Sequence, residues 1–167
     1  MIMSKQLCMI AILHNIRSAH NVGSIFRTAD GAGVEKIYLC GFTPAPINEV
    51  GGPRIQLTKV SLGAEKNIPW EKVKSTTALV DRLKKRGYRI IAVEQTKNSV
   101  SLFNIWSHSN KKIVILVGNE IKGPSPGILK RADKILEIPM VGRKKSLNVS
   151  VAFGIVVYHL RFGTTKS

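Results

Sequence analysis

Five short runs of consecutive, mostly β-branched apolar residues punctuate this chain: Leu7 to Leu13, Lys36 to Gly41, Arg89 to Glu94, Lys112 to Gly118 and Lys134 to Met140. A strand that alternates apolar and polar residues can leave one face in water, whereas a run that is apolar throughout must be covered on both faces. A parallel sheet with helices above and below meets that demand. The intervening segments supply the helices. Val22, Ile25, Phe26 and Ala29 recur at helical spacing within Asn21 to Ala32, with Asn21 as the expected N-cap and Gly31 and Gly33 as the stop. Further helices are expected over Thr76 to Arg86, ended by Gly87, over Gly127 to Ala132, and over Leu147 to about Phe162. A chain of 167 residues is long enough for one good core and too short for two ordinary domains, so residues 1–167 are expected to form a single α/β domain.

The pattern fails from Phe42 to Trp70. Pro44, Pro46, Gly51, Gly52, Pro53 and Pro69 predict one long irregular connection. It reads either as a substrate-binding flap presenting Arg54, Lys59 and Lys66 or as a solvated loop anchored by Trp70.

The chain carries 26 Lys and Arg against 10 Asp and Glu, a formal net charge of +16. Solubility does not need so much charge, and the excess points to a polyanionic partner, nucleic acid foremost. Cys8 and Cys40 lie inside apolar runs and read as buried strand residues, which suits a reducing, cytoplasmic setting. His14, His20, His108 and His159 share no zinc-type spacing with each other or with the cysteines, so no metal is assigned. The N-terminal apolar run, about seven residues long, is too short to span a membrane, and no membrane partner is expected.

Three stretches carry polar groups where the pattern calls for burial. In HNIRSAHNVGSIFRTADGAG, Arg27 falls beside the apolar stripe of a helix, where a guanidinium either snorkels to water or points into a cleft. In ILVGNEIKGPSPGIL a glycine-rich turn follows a buried strand directly, the place where open α/β sheets bind ligands. It is not a Walker loop, because Gly123 is followed by Pro124 and Ser125, and the GAG of Gly31 to Gly33 follows a helix, the reverse of a dinucleotide fingerprint. Glu120 on that turn is an acid in a basic chain. In LEIPMVGRKKSLNVSVAFGIVVYHL, the basic run Arg143, Lys144 and Lys145 precedes a helix that is apolar on nearly every face. Such a helix is either central or packed against a second subunit, and in so small a domain the second is expected, with Val156 as a test position.

Taken together and in this order, these stretches resemble the three motifs of the SpoU (TrmH) family of RNA 2′-O-ribose methyltransferases, within the SPOUT superfamily. The first motif appears as Asn21, Gly23, Arg27 and Thr28 with Arg17 upstream, the second as LVGNEIKG, and the third as IPMVGRKKSLNVSVA. The resemblance implies a C-terminal deep trefoil knot, an exception to the general absence of knots. It further implies S-adenosylmethionine as cofactor, held around Gly118, Asn119, Ile138, Met140 and Leu147, and a homodimer packed partly through the last helix. The catalytic set it implies is Arg27, Asn21, Glu120, Ser146 and Asn148. A guanidinium stays protonated near neutral pH, so Arg27 is expected to hold a phosphate and stabilise the developing alkoxide rather than to act as a base. The 2′-hydroxyl makes RNA, tRNA or rRNA, the expected substrate. No separate RNA-binding domain is expected, so recognition is expected to fall to a basic surface including Arg17, Arg54, Lys59, Arg143, Lys144 and Lys145. Two alternatives stay open: a catalytically silent RNA-binding homologue, and a SPOUT methyltransferase acting on a base.

Overall fold

In the computed structural model, which describes residues 7–105 and 111–163, strands and helices alternate along the chain. The order is β1 (Cys8–His14), α1 (Ala19–Gly31), β2 (Lys36–Cys40), α2 (Ile55–Ser61), α3 (Ala64–Asn67), β3 (Trp70–Val73) and α4 (Thr76–Lys85). Then follow β4 (Arg89–Val93), β5 (Val100–Ser101), a 3-10 turn (Leu102–Asn104), β6 (Lys112–Val117), α5 (Pro126–Leu129), β7 (Lys134–Glu137) and α6 (Val149–Phe162). His108, considered above as a metal ligand, lies outside the described residues.

The seven strands form one sheet in the order β3-β2-β1-β6-β4-β7-β5, and every described pairing is parallel. Covering both faces is what the apolar runs require. On one face α1, α2 and α6 bury Phe26, Leu57 and Phe153 against Ala11, Leu13 and Ile115. On the other, α4 and α5 bury Leu79, Leu83 and Ile128 against Ile12, Val114 and Leu116. Because the strands are parallel, β1, β6, β4 and β7 all deliver their C-terminal ends to one edge, where the loops carrying the motifs collect.

Four expectations need correction. The segment from Phe42 to Trp70 is not one irregular loop: α2 and α3 lie within it, and Trp70 opens the edge strand β3. Leu57, Ser61, Ala64 and Ile68 are buried at helical spacing, a signal masked by the prolines and glycines on either side. Asn21 is not the N-cap of α1. Ser18 is, its hydroxyl accepting the Asn21 amide at 3.2 Å, which places Asn21 inside the first turn. β7 ends at Glu137 rather than Met140, since Pro139 has no N–H to give the ladder. Val156 is fully buried in the core of the chain itself. The outward stripe of α6 is instead Val151, Tyr158 and Phe162, with the half-buried Ile155 between them.

Gly23 sets how closely α1 and α2 pack, because a Cβ there would strike the Leu57 carbonyl. Gly23→Ala is expected to push the helices apart and cost roughly 1–3 kcal/mol. The urea midpoint should fall with the m-value unchanged. An unchanged midpoint would mean that the contact has slack.

Candidate functional site

The loop after β6 is shaped by one side chain. Asn119 accepts the amides of Ile121 and Lys122 through Oδ1, both at 3.0 Å, and donates through Nδ2 to the Asn15 carbonyl at 2.9 Å. These bonds fold the loop back across the end of β1 and carry Glu120 to the N-terminus of α1. There the carboxylate accepts the Arg17 amide on both oxygens, at 3.0 and 3.2 Å, and the Ser18 amide at 3.1 Å. It also accepts Nδ2 of Asn21 at 3.1 Å. The start of a helix is a natural seat for an anion, since its amides lack intrahelical partners and carry the positive end of the helix dipole.

Partial burial alone would raise the pKa of Glu120. The backbone amides of Arg17, Glu120 and Ser18, with the side chain of Asn21, outweigh it and hold the carboxyl below its ordinary value. Glu120 is therefore a poor proton acceptor at neutral pH and a strong structural anchor.

The network continues through Asn21, buried despite its polarity. Its Oδ1 accepts Nδ2 of Asn148 at 3.1 Å, and Oδ1 of Asn148 caps α6 by accepting the Ser150 amide at 2.9 Å and the Ser150 hydroxyl at 2.7 Å. One chain of hydrogen bonds thus ties the start of α1, the loop after β6 and the start of α6.

Beside this network lies a cavity of about 250 Å3. Gly118, Asn119, Ile138, Met140 and Leu147 all line it, as do Glu120, Ser146 and Asn148. Gly118 must lack a side chain, because a Cβ would collide with the Gly123–Pro124 backbone. Ile138 and Met140 lie just past the end of β7, on either side of Pro139. Sequence reasoning missed Glu94 and Gln95, which follow β4, and Glu137, which ends β7. An acidic residue closing a buried strand was the available signal. Oε1 of Glu94 accepts the Gln95 amide at 2.8 Å, and Oε2 of Glu137 accepts the Ser99 hydroxyl at 2.6 Å.

Other expected residues lie apart from the cavity. Arg27 is exposed on α1, six positions and about 9 Å of helix beyond Asn21. It makes no hydrogen bond or ion pair within the described residues and does not line the cavity. Lys59, Arg143, Lys144 and Lys145 are exposed, as is Arg17. Arg54 is committed to its own loop, donating to the Ala45 carbonyl at 3.0 Å and pairing with Glu49 at 3.0 Å. Among the described residues no cluster of His, Cys, Asp or Glu could hold a metal ion, and no helix is long and apolar enough to cross a membrane.

Residues 8–158 match the SpoU rRNA Methylase family. The chain is 36% identical over 156 residues to the tRNA (guanosine(18)-2′-O)-methyltransferase of Aquifex aeolicus (strain VF5), covering 92% of this chain and 69% of that protein. The crystal structure of an AdoMet-bound rRNA methyltransferase from Sinorhizobium meliloti superposes with a TM-score of 0.83 at 28% identity, covering 96% of this chain and 58% of that one. A TrmH/SpoU tRNA modifying enzyme of A. aeolicus superposes with a TM-score of 0.79 at 33% identity, covering 95% and 76% respectively. The chain spans 58% of the length of other curated relatives that it matches.

The depressed pKa of Glu120 makes its contribution to stability dependent on pH. A carboxyl whose native pKa lies below its unfolded value, about 4.3, stabilises the fold fully above that value and loses the contribution as pH falls toward the native pKa. Urea midpoints of wild type and Glu120→Gln should therefore differ most at neutral pH and converge as pH drops below about 4. A constant difference across this range would contradict the assignment.

Proposed function

The chain belongs to the SpoU rRNA Methylase family, and from that membership we propose that it transfers a methyl group from S-adenosylmethionine to a ribose 2′-hydroxyl of tRNA or rRNA. The observation that carries this reading is the cavity at the C-terminal edge of the sheet, walled by Glu120 and Asn148, which hydrogen bonds through Asn21 connect, together with the loops flanking them. The lining suits the cofactor. Gly118 lines it beside the tightly packed Gly123–Pro124 turn, Ile138, Met140 and Leu147 offer apolar walls, and Glu94, Glu120 and Glu137 set negative charge around a cationic ligand. When bound, the cofactor supplies a methyl group on a sulfonium.

Methyl transfer to a hydroxyl is an in-line displacement, so the chain has to hold the hydroxyl in line and stabilise charge as its proton leaves. Glu120, Asn21 and Asn148 spend their polar groups on each other and on backbone amides, which fits them to hold the walls in register. Ser146 lines the cavity with a hydroxyl that has no partner within the described residues, and we assign it to the ribose. Arg27, equally uncommitted, is assigned to a phosphate of RNA lying over α1, where its charge offsets the developing alkoxide. The proton passes to phosphate or water, since neither a guanidinium nor the anchored Glu120 is a competent base at neutral pH.

The same reading includes a trefoil knot, a homodimer and a cytoplasmic location. For the knot, support comes from β7 lying between the earlier strands β4 and β5 while the following helix, α6, packs back on α1. For the dimer, it comes from the outward stripe Val151, Tyr158 and Phe162.

Purified protein should bind S-adenosylmethionine in calorimetry, and no binding at millimolar cofactor would overturn the reading. Arg27→Ala should lower the methyl-transfer rate by roughly two to three orders of magnitude with cofactor affinity little changed. Arg27→Lys keeps the charge without the planar fork and should remain well below wild type. A near-wild-type rate in Arg27→Ala would return Arg27 to an ordinary surface residue.

A further inference from the structure

A second depression, of about 500 Å3, adjoins the cavity just described and shares Asn119, Ile121 and Gly123 with it. It lies at the ends of β1 and β2, with Arg17 and Lys122 on its rim and the ring of Phe42 at its mouth. Neither Arg17 nor Lys122 makes an ion pair or a side-chain hydrogen bond within the described residues. Phe42 is 59% exposed, although an aromatic ring in water forfeits the burial that would ordinarily place it in the core.

The backbone around Phe42 is held on every side. Its amide donates to Oδ1 of Asn15 at 3.2 Å. Asn15 adopts the left-handed region, φ 54, and its side chain fills the space beside Gly41 that a Cβ would occupy. The Gly41 carbonyl accepts Nζ of Lys72 at 2.7 Å. On the other side Thr43 is fully buried, its hydroxyl donating to main-chain oxygen at the ends of β1 and β2 and accepting the Ile16 amide at 3.1 Å. An exposed aromatic on so fixed a turn is a preorganised surface, with little conformational freedom left to lose on binding.

We propose that this depression receives a nucleotide of the RNA substrate, its base stacked on the Phe42 ring and its phosphates drawn to Arg17 and Lys122. The inference rests on the reading of the chain as an RNA methyltransferase and adds a substrate-binding subsite to it. Three observations favour a nucleotide as occupant. The rim carries unpaired cations, the chain as a whole carries +16, and the depression shares three lining residues with the cavity assigned to the cofactor. An exposed aromatic beside cations is the pairing used to bind unstacked bases, and it tolerates any base because each has a π face. Gly41 and Asn15 matter here as positioning residues, since they aim the ring without touching the base.

Sequence tolerance allows a generic probe: a short oligouridylate carrying one 5-iodouridine, irradiated with the cofactor-saturated protein. Peptide mapping should place the crosslink at Phe42. By fluorescence anisotropy Phe42→Leu should weaken binding of the same probe about tenfold, while Phe42→Tyr, which restores a π face, should bind within about twofold of wild type. Calorimetry with S-adenosylmethionine should be unchanged in both variants, which shows that the fold and the cofactor cavity survive. Wild-type binding of the probe with crosslinks confined to other surfaces, or equal affinity in Phe42→Leu, would overturn the subsite and leave the methyltransferase reading standing. Cofactor binding with no RNA binding by wild-type protein would overturn the RNA reading, and the subsite with it.

Discussion

A carboxylate bound to the start of a helix holds this site together. Glu120 accepts the first free amides before α1 and the side chain of Asn21, and through Asn21 it reaches Asn148 and the start of α6. Without it the amides of Arg17 and Ser18 would lose the acceptor they share, and a buried asparagine would lose one of its partners. The three loops it connects come from strands far apart in sequence, so no local propensity could place them together. Their convergence depends on the parallel sheet bringing the strand ends to one edge and on one anion joining the pieces.

Charge is distributed accordingly. The surface is strongly cationic, yet carboxylates gather at the cavity: Glu120 anchored to amides, Glu137 to Ser99, and Glu94 at the end of β4. A basic exterior attracts a polyanion over long range, while an acidic interior favours a small cation and disfavours the polyanion itself. Such a distribution would sort the two proposed ligands to adjoining places. Backbone, rather than a glycine fingerprint, shapes the interior place, through Gly118 at the end of β6 and the strand-ending Pro139.

Much of the fold was legible because parallel strands buried on both faces leave continuous apolar runs, and each of the five expected runs is a strand within a few residues. β3 and β5 escaped because edge strands need little apolar content, and α2 and α3 escaped because Leu57, Ser61, Ala64 and Ile68 are too few to stand out among prolines and glycines. The site's residue types were legible, but their partners were not. Asn21 looked like a cap because asparagine is a common one just before an apolar helical stripe, and only the geometry shows that its own amide is taken by the Ser18 hydroxyl. An all-round apolar helix hides its own orientation, so Val156 in the core could not be told from Val151 on the surface. The isolation of Arg27 was equally hidden, since sequence spacing places it on a helix without showing what lies beside it.

The claim that one hydrogen-bonded chain couples the three motifs is tested most directly by a double-mutant cycle on stability. Asn21→Ala, Asn148→Ala and the double variant would be unfolded in urea without any ligand. The bond between the two side chains, 3.1 Å long and partly buried, predicts that the double variant loses less than the sum of the singles, by about 0.5–1.5 kcal/mol. Losses that add to within about 0.3 kcal/mol would show two independent asparagines, and the motifs would have to be held together by something else.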